Sequence, residues 1–156
     1  MKHTSDDIYK KVKDLSKNVT DHLRRQGVIV PTKTEDGLIR VGHFKIKKSK
    51  TGFYSILNYR NDTVIDFINL PQTAALLANK LALGKFIDDN LLAADRSYGH
   101  ALFEEELHKA MAERSVKLNN IDKAEIMYTK FNTAKYKREK HKKLIILSFD
   151  KLLKFR

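Results

Sequence analysis

The chain has 156 residues, 42% hydrophobic and 32% charged, with a formal net charge of +12 and no cysteine. That length and balance fit one folded domain with its own core. The missing thiols exclude disulfides, thiolate nucleophiles and cysteine-ligated zinc. No apolar run approaches the roughly 18 residues of a membrane span, and Asp6 and Asp7 fall where a signal peptide would carry its apolar stretch. The expectation is a single α+β domain over residues 1–156, without a transmembrane segment and located in the cytoplasm.

The N-terminal stretch predicts a helix over residues 1–27. Ser5 is a candidate N-cap, with Asp6 and Asp7 in the first turn, where the helix dipole favours acids. Ile8, Val12, Leu15 and Val19 follow at helical spacing, and Gly27 ends the pattern. Residues 28–30 are a short β-prone run closed by Pro31, and residues 32–37 form a polar loop.

Period-two alternation follows. Phe44 and Ile46 point one way, Lys45 and Lys47 the other. Turn signals at 49–52 and at Arg60-Asn61-Asp62 separate this strand from two more, over 53–59 and 63–68. Residues 38–69 therefore predict a small three-stranded antiparallel meander, with 38–41 as an optional added edge. One face is expected to bury Phe44, Ile46, Tyr54 and Ile56, and the other to carry the lysines.

Residues 71–156 read as three or four helices packed on the sheet. Pro71 suits a first helical turn. The run Ala74, Ala75, Leu76, Leu77, Ala78, Leu81 and Ala82 is apolar nearly all round, as expected of a central buried helix. From Lys85 to Ser115 the pattern is helical again, with Gly99 as a point of kinking or division. Asn119 or Asn120 caps a last long helix through Ile121, Ala124, Tyr128 and Phe131. Residues 144–149 read either as its end or as a β-prone segment.

Charge is unevenly placed. Residues 37–61 hold Arg40, Lys45, Lys47, Lys48, Lys50 and Arg60 with no acid, a local +6, and residues 130–156 reach +8, which leaves the rest near −2. Two basic zones of this kind attract phosphate-rich or acidic partners. The candidate polyanion-binding residues are Lys45, Lys47, Lys48 and Lys50 in the first zone and Lys135, Lys137, Arg138 and Lys142 in the second. Phe53, Tyr54 and Tyr59 lie close enough in sequence to supply stacking groups, an arrangement used for single-stranded nucleic acid. The alternative is a sheet edge protected by lysines. A nucleic-acid surface built from both zones requires Lys45, Lys47, Lys137 and Arg138 to share one continuous face. The acidic run Glu104-Glu105-Glu106 is a second possible destination for the later cations, within the chain or in another copy.

The remaining chemistry is sparse. His100, Glu104 and His108 are spaced four apart, and Glu105 with His108 forms a Glu-x-x-His pair, the weak metal candidate of the chain. No second Glu-x-x-His accompanies it, and a solvated acidic helix face accounts for the same residues. Asp88, Asp89 and Asp95 have no spacing that demands acid–base work. Phosphate-cradling glycine loops and nucleophile elbows are missing. No cofactor is expected.

Val41-Gly42-His43-Phe44-Lys45-Ile46, then Gly52-Phe53-Tyr54-Ser55-Ile56-Leu57 and Ile68-Asn69-Leu70-Pro71 resemble stretches of small accessory proteins of marine T4-like bacteriophages. The lysine-rich composition, without cysteine or tryptophan, is similar to theirs. The resemblance spans residues 38–115 and implies a virus-encoded accessory or assembly protein acting in the host cytoplasm. It brings no chemistry with it. The sequence thus points to a non-catalytic binding or assembly protein with a polyanionic or protein partner, which includes a further copy of itself. Direct nucleic-acid binding through the two basic zones is the alternative, and a small metal-dependent or hydrolytic enzyme is the third.

Overall fold

The alternation that starts at Ile39 becomes an antiparallel sheet with two unlike faces. The structure is a computed structural model and describes residues 32–34, 37–85, 87 and 89–152. Its strands are β1 (Thr32–Lys33), β2 (Ile39–Val41), β3 (Phe44–Lys48), β4 (Tyr54–Leu57) and β5 (Thr63–Ile68). They pair in chain order, each antiparallel to the next. The helix expected over residues 1–27 and the β-prone run at 28–30 lie outside the described residues.

Among the described residues the sheet has five strands where the sequence predicted three. The edge at 38–41 is a full member of it, and the segment read as a polar loop supplies β1. A strand of two residues shows no alternation, so β1 carried no signal. It is held instead by its turn. The Thr34 amide donates to the Leu38 carbonyl, and the Leu38 amide donates to Thr34 Oγ1. The predicted turns close as expected. The Ser49 amide donates to the Phe53 carbonyl at 2.8 Å, and Gly52 takes φ 93°, a conformation that a Cβ would strain. Asn58 Oδ1 accepts the Arg60 and Asp62 amides in the next turn.

Three helices follow the sheet: α1 (Pro71–Ala82), α2 (Asp89–Lys117) and α3 (Ile121–Leu152). Pro71 opens α1, whose residues 71–79 are all buried. Its Ala74, Ala75, Leu77 and Ala78 pack on Ile39, Val41, Ile46, Tyr54, Ile56 and Ile68 of the sheet, with Phe149 of α3 completing the core. Phe44, expected in this face, is half-buried and packs at its margin. Burying side chains such as Ile46, Ile56 and Phe149 contributes about 1.5–3 kcal/mol each.

Helices α2 and α3 fold back on one another as an antiparallel hairpin. Asn119, at φ 56°, ends α2, and the Asn120 amide bonds back to the Ser115 carbonyl. Asn120 then caps α3, its Oδ1 accepting the Lys123 amide. The hairpin buries small residues, including Ala101, Ala112, Ser115, Ala124 and Ala134, which let the two backbones approach. The segment 144–149 stays helical and delivers Ile145 and Phe149 to the interior.

Gly99 does not divide α2, which is continuous through it. It is a point of close approach. A Cβ there would collide with the side-chain amide of Asn69. Asn69 is itself fixed by Asp95, which is 0% exposed and accepts the amides of Asn69 and Leu70 at 2.8 and 2.9 Å. Leu70 caps α1 without a side-chain hydrogen bond, and the carboxylate from α2 instead fixes the chain entering the helix by accepting the Asn69 and Leu70 amides. This latch joins the end of β5, the start of α1 and the first third of α2.

Candidate functional site

The sheet face turned away from the helices is built by register. Arg40 lies opposite Lys45, Lys45 opposite Leu57, and Lys47 opposite Ser55. Paired residues share a face, so Arg40, Lys45 and Lys47 stand together on the open side. Like charges directly opposite across strands, as in Arg40 and Lys45, are destabilising. Arg40 Nε donates to the Gly42 carbonyl and Lys45 Nζ donates to Asn61 Oδ1, both bonds that leave the charge intact. Among the described residues, none of the three is held in an ion pair.

The same face carries an aromatic pair. Ile56 pairs with Ile65 and Tyr54 with Ile68, so the single residue Ser55 faces both Asp66 and Phe67. This is a β-bulge, a device that re-aims a side chain. Phe67 takes φ 55°, a left-handed conformation costing about 1–2 kcal/mol for a residue with a side chain. The residue is 61% exposed, and its ring meets Phe53 edge-to-face, the centroids 5.9 Å apart. Lys47, Phe53, Ser55, Leu57, Asn61 and Phe67 line a depression of about 640 Å³ on this face.

One carboxylate interrupts the cationic surface. Asp66 Oδ1 accepts the Ser55 hydroxyl at 2.6 Å and the Phe67 amide at 2.8 Å. These two bonds, the Ser55 one first, hold its carboxyl below the ordinary value of 3.8. They also pin the bulge.

The other predicted residues are distributed elsewhere. Lys48, on the opposite face of β3, stands over the Tyr54 ring at 5.9 Å. Lys48 and Lys50 line a second depression, between the β3–β4 turn and α2. Tyr54 is buried in the core, as the alternation predicted, which removes it from the candidate stacking groups. Tyr59 is exposed, with Arg60 over its ring.

The two basic zones do not merge into one face. Lys135, Lys137, Arg138 and Lys142 belong to α3, on the helix-covered side of the sheet, whereas Lys45 and Lys47 point away from the helices. Arg138 is half-buried and ion-paired with Glu105, its Nη2 lying 3.3 Å from Oε1. That bond pushes the guanidinium pKa up. One member of the acidic run of α2, Glu105, thus meets one cation of α3, Arg138, within the chain. Lys142 is pushed down, first by burial and then by the Arg138 charge. Lys137 shares a shallow depression with His100, Glu104 and Tyr136, and Lys135 is exposed.

The metal candidates are also drawn apart. His100 Nε2 lies 2.8 Å from Glu104, while Glu105 is committed to Arg138. His108 has its Nδ1 buried without a hydrogen-bond partner. Among the described residues no group of three or more potential ligands converges on one point. No helix of the described residues is long and apolar enough to cross a membrane.

Two members of the open face escaped the sequence reading as functional residues. Arg40 was legible, since it alternates with Ile39 and Val41. Phe67 was not: simple alternation from Ile65 sends it into the core, and only the bulge turns it out. Compared with protein-family models, curated proteins and solved structures, the chain matches none.

Proposed function

We propose that this is a non-catalytic binding protein whose open sheet face takes single-stranded nucleic acid. The observation that carries this reading is Phe67, an exposed aromatic held in a left-handed bulge beside Phe53, on a face with Arg40, Lys45 and Lys47. Glycine would adopt that backbone without strain. A phenylalanine there keeps a ring in solvent at a cost to stability, and a stacking ligand is what repays the arrangement. Cations beside exposed rings match the needs of a flexible polyphosphate whose bases have free faces. The proposal rests on the first basic zone alone. On the resemblance to phage accessory proteins, such a surface would act in an infected bacterium.

The test is a pair of measurements on Phe67→Gly. The variant should be as stable as the parent or more so, by up to about 1 kcal/mol, because the positive φ is relieved. Its affinity for labelled single-stranded DNA or RNA should fall about five-fold or more, the loss of one stacked base. Unchanged affinity, or a parent that binds no oligonucleotide at low salt, overturns the reading.

Self-association is a second reading with its own observation. Phe103 and Leu107 are both exposed, one helical turn apart on the side of α2 opposite its buried row. Sedimentation of the full chain at high concentration tests it, and a single monomeric species removes it.

A further inference from the structure

We propose that the strand's path continues past the sheet, around the β3–β4 turn and into the groove between that turn and α2, where Lys48 and Lys50 hold its next phosphates. This rests on the nucleic-acid reading of the open face and extends it to a second subsite. The geometric basis is a shared wall. Thr51 and Phe53 line the depression on the open face and also the one behind the turn. The two depressions therefore lie on either side of Thr51 and Phe53, next to one another around the turn.

The chemistry of the groove suits a phosphate. It measures about 390 Å³ and is lined by Lys48, Lys50, Thr51, Phe53, Asn69 and apolar wall, with no carboxylate among its lining residues. Lys48 lies over the Tyr54 ring, which places its ammonium before any ligand arrives. Asn69 is anchored through its side chain to Asp95, so the groove floor is rigid.

The path also has an end. The neighbouring depression shares Tyr98 and Leu102 with this one but adds Glu105 and Glu106. Lys109 and Arg138 line it too, Arg138 paired with Glu105, so its charges balance and it adds no cationic hold; the proposed path stops at α2. The site is thus finite and two-part: an aromatic sheet subsite and a lysine groove.

The test compares a short and a long oligonucleotide, about 4 and about 12 residues, of oligo-dT and of oligo-U, against the full chain. The parent should bind the long one more tightly. Lys48→Gln/Lys50→Gln should abolish that gain while leaving the short one's affinity within about two-fold, since a neutral change on the far side of the turn touches only the longer ligand. With two phosphate contacts gone, the salt slope for the long strand should fall by about 1.4. A charge-matched control, Lys117→Gln/Lys123→Gln at the distant end of the hairpin, should change neither. If the lysine variant binds the long strand as the parent does, or if the control loses as much, the groove subsite is wrong and the sheet site stands. If the parent binds neither length, the sheet reading itself fails. Separate arms for DNA and RNA show which sugar is preferred.

Discussion

Asp66 shows how one residue serves both the fold and the proposed surface. Its carboxylate fixes the bulge through Ser55 and the Phe67 amide, yet it places a negative charge among Arg40, Lys45 and Lys47. Its pKa is depressed by those bonds. The stability they add is therefore complete above the unfolded value near 3.8 and is lost as pH falls through the still lower folded value. Between pH 5 and 8 its charge is constant, so Asp66 contributes no pH dependence to binding there. Asp66→Asn removes the charge but keeps an oxygen for the Ser55 hydroxyl. It should tighten binding of a short single strand about three-fold at neutral pH, the effect of one charge at roughly 6 Å in a watery setting. Titration of the variant beside the parent checks this, and weaker binding would mean that the bulge itself has been lost.

At the scale of elements, the latch between α2 and the β5–α1 junction decides how the layers meet. Asp95→Asn leaves the shape but turns one acceptor towards a backbone amide as a donor. It should destabilise the fold by about 2–3 kcal/mol, read as a lower urea midpoint at unchanged slope. Gly99→Ala offers about 1 kcal/mol of helix propensity against an overpacking cost of about 1–3 kcal/mol where its methyl meets Asn69. The single change should destabilise. In an Asn69→Ala background, with the obstacle removed, the same change should stabilise, and this reversal is what a merely flexible contact would not give. The glycine itself was visible in the sequence, but its reason was not. A helix-breaking signal and a close-packing site look the same until the neighbour is known. The elements that were legible are the long periodic ones: α1 from its alanine–leucine run, and β3 from Phe44-Lys45-Ile46-Lys47. What stayed hidden was short or irregular. β1 has only two residues, and β5 breaks period two twice, between Ile56 and Leu57 and between Tyr54 and Ile56. The candidate site lay half within that gap. Its lysines could be read by alternation, whereas its second aromatic depended on a bulge that tertiary pairing alone imposes.

For the whole molecule, the net charge of +12 is divided by the fold into unlike parts. The later zone is partly consumed inside the hairpin, where Arg138 meets Glu105, and the earlier zone remains facing solvent. A single strand held by Arg40, Lys45 and Lys47 alone should show a salt slope of about −2, and one that also reaches Lys48 and Lys50 about −3.5. Affinity measured across a salt series separates the two, and a slope near zero would mean that the charge is not used. The bulges of β5 have a last consequence at this scale. An added strand needs a flat, regular row of amides and carbonyls, and β5 offers a bent one with Phe67 turned outward, while β1 at the opposite margin is two residues long. Among the described residues, neither flank of the sheet offers a long, regular edge, which disfavours edge-to-edge pairing of copies. A larger architecture is then more readily built through the helices or threaded along a shared ligand.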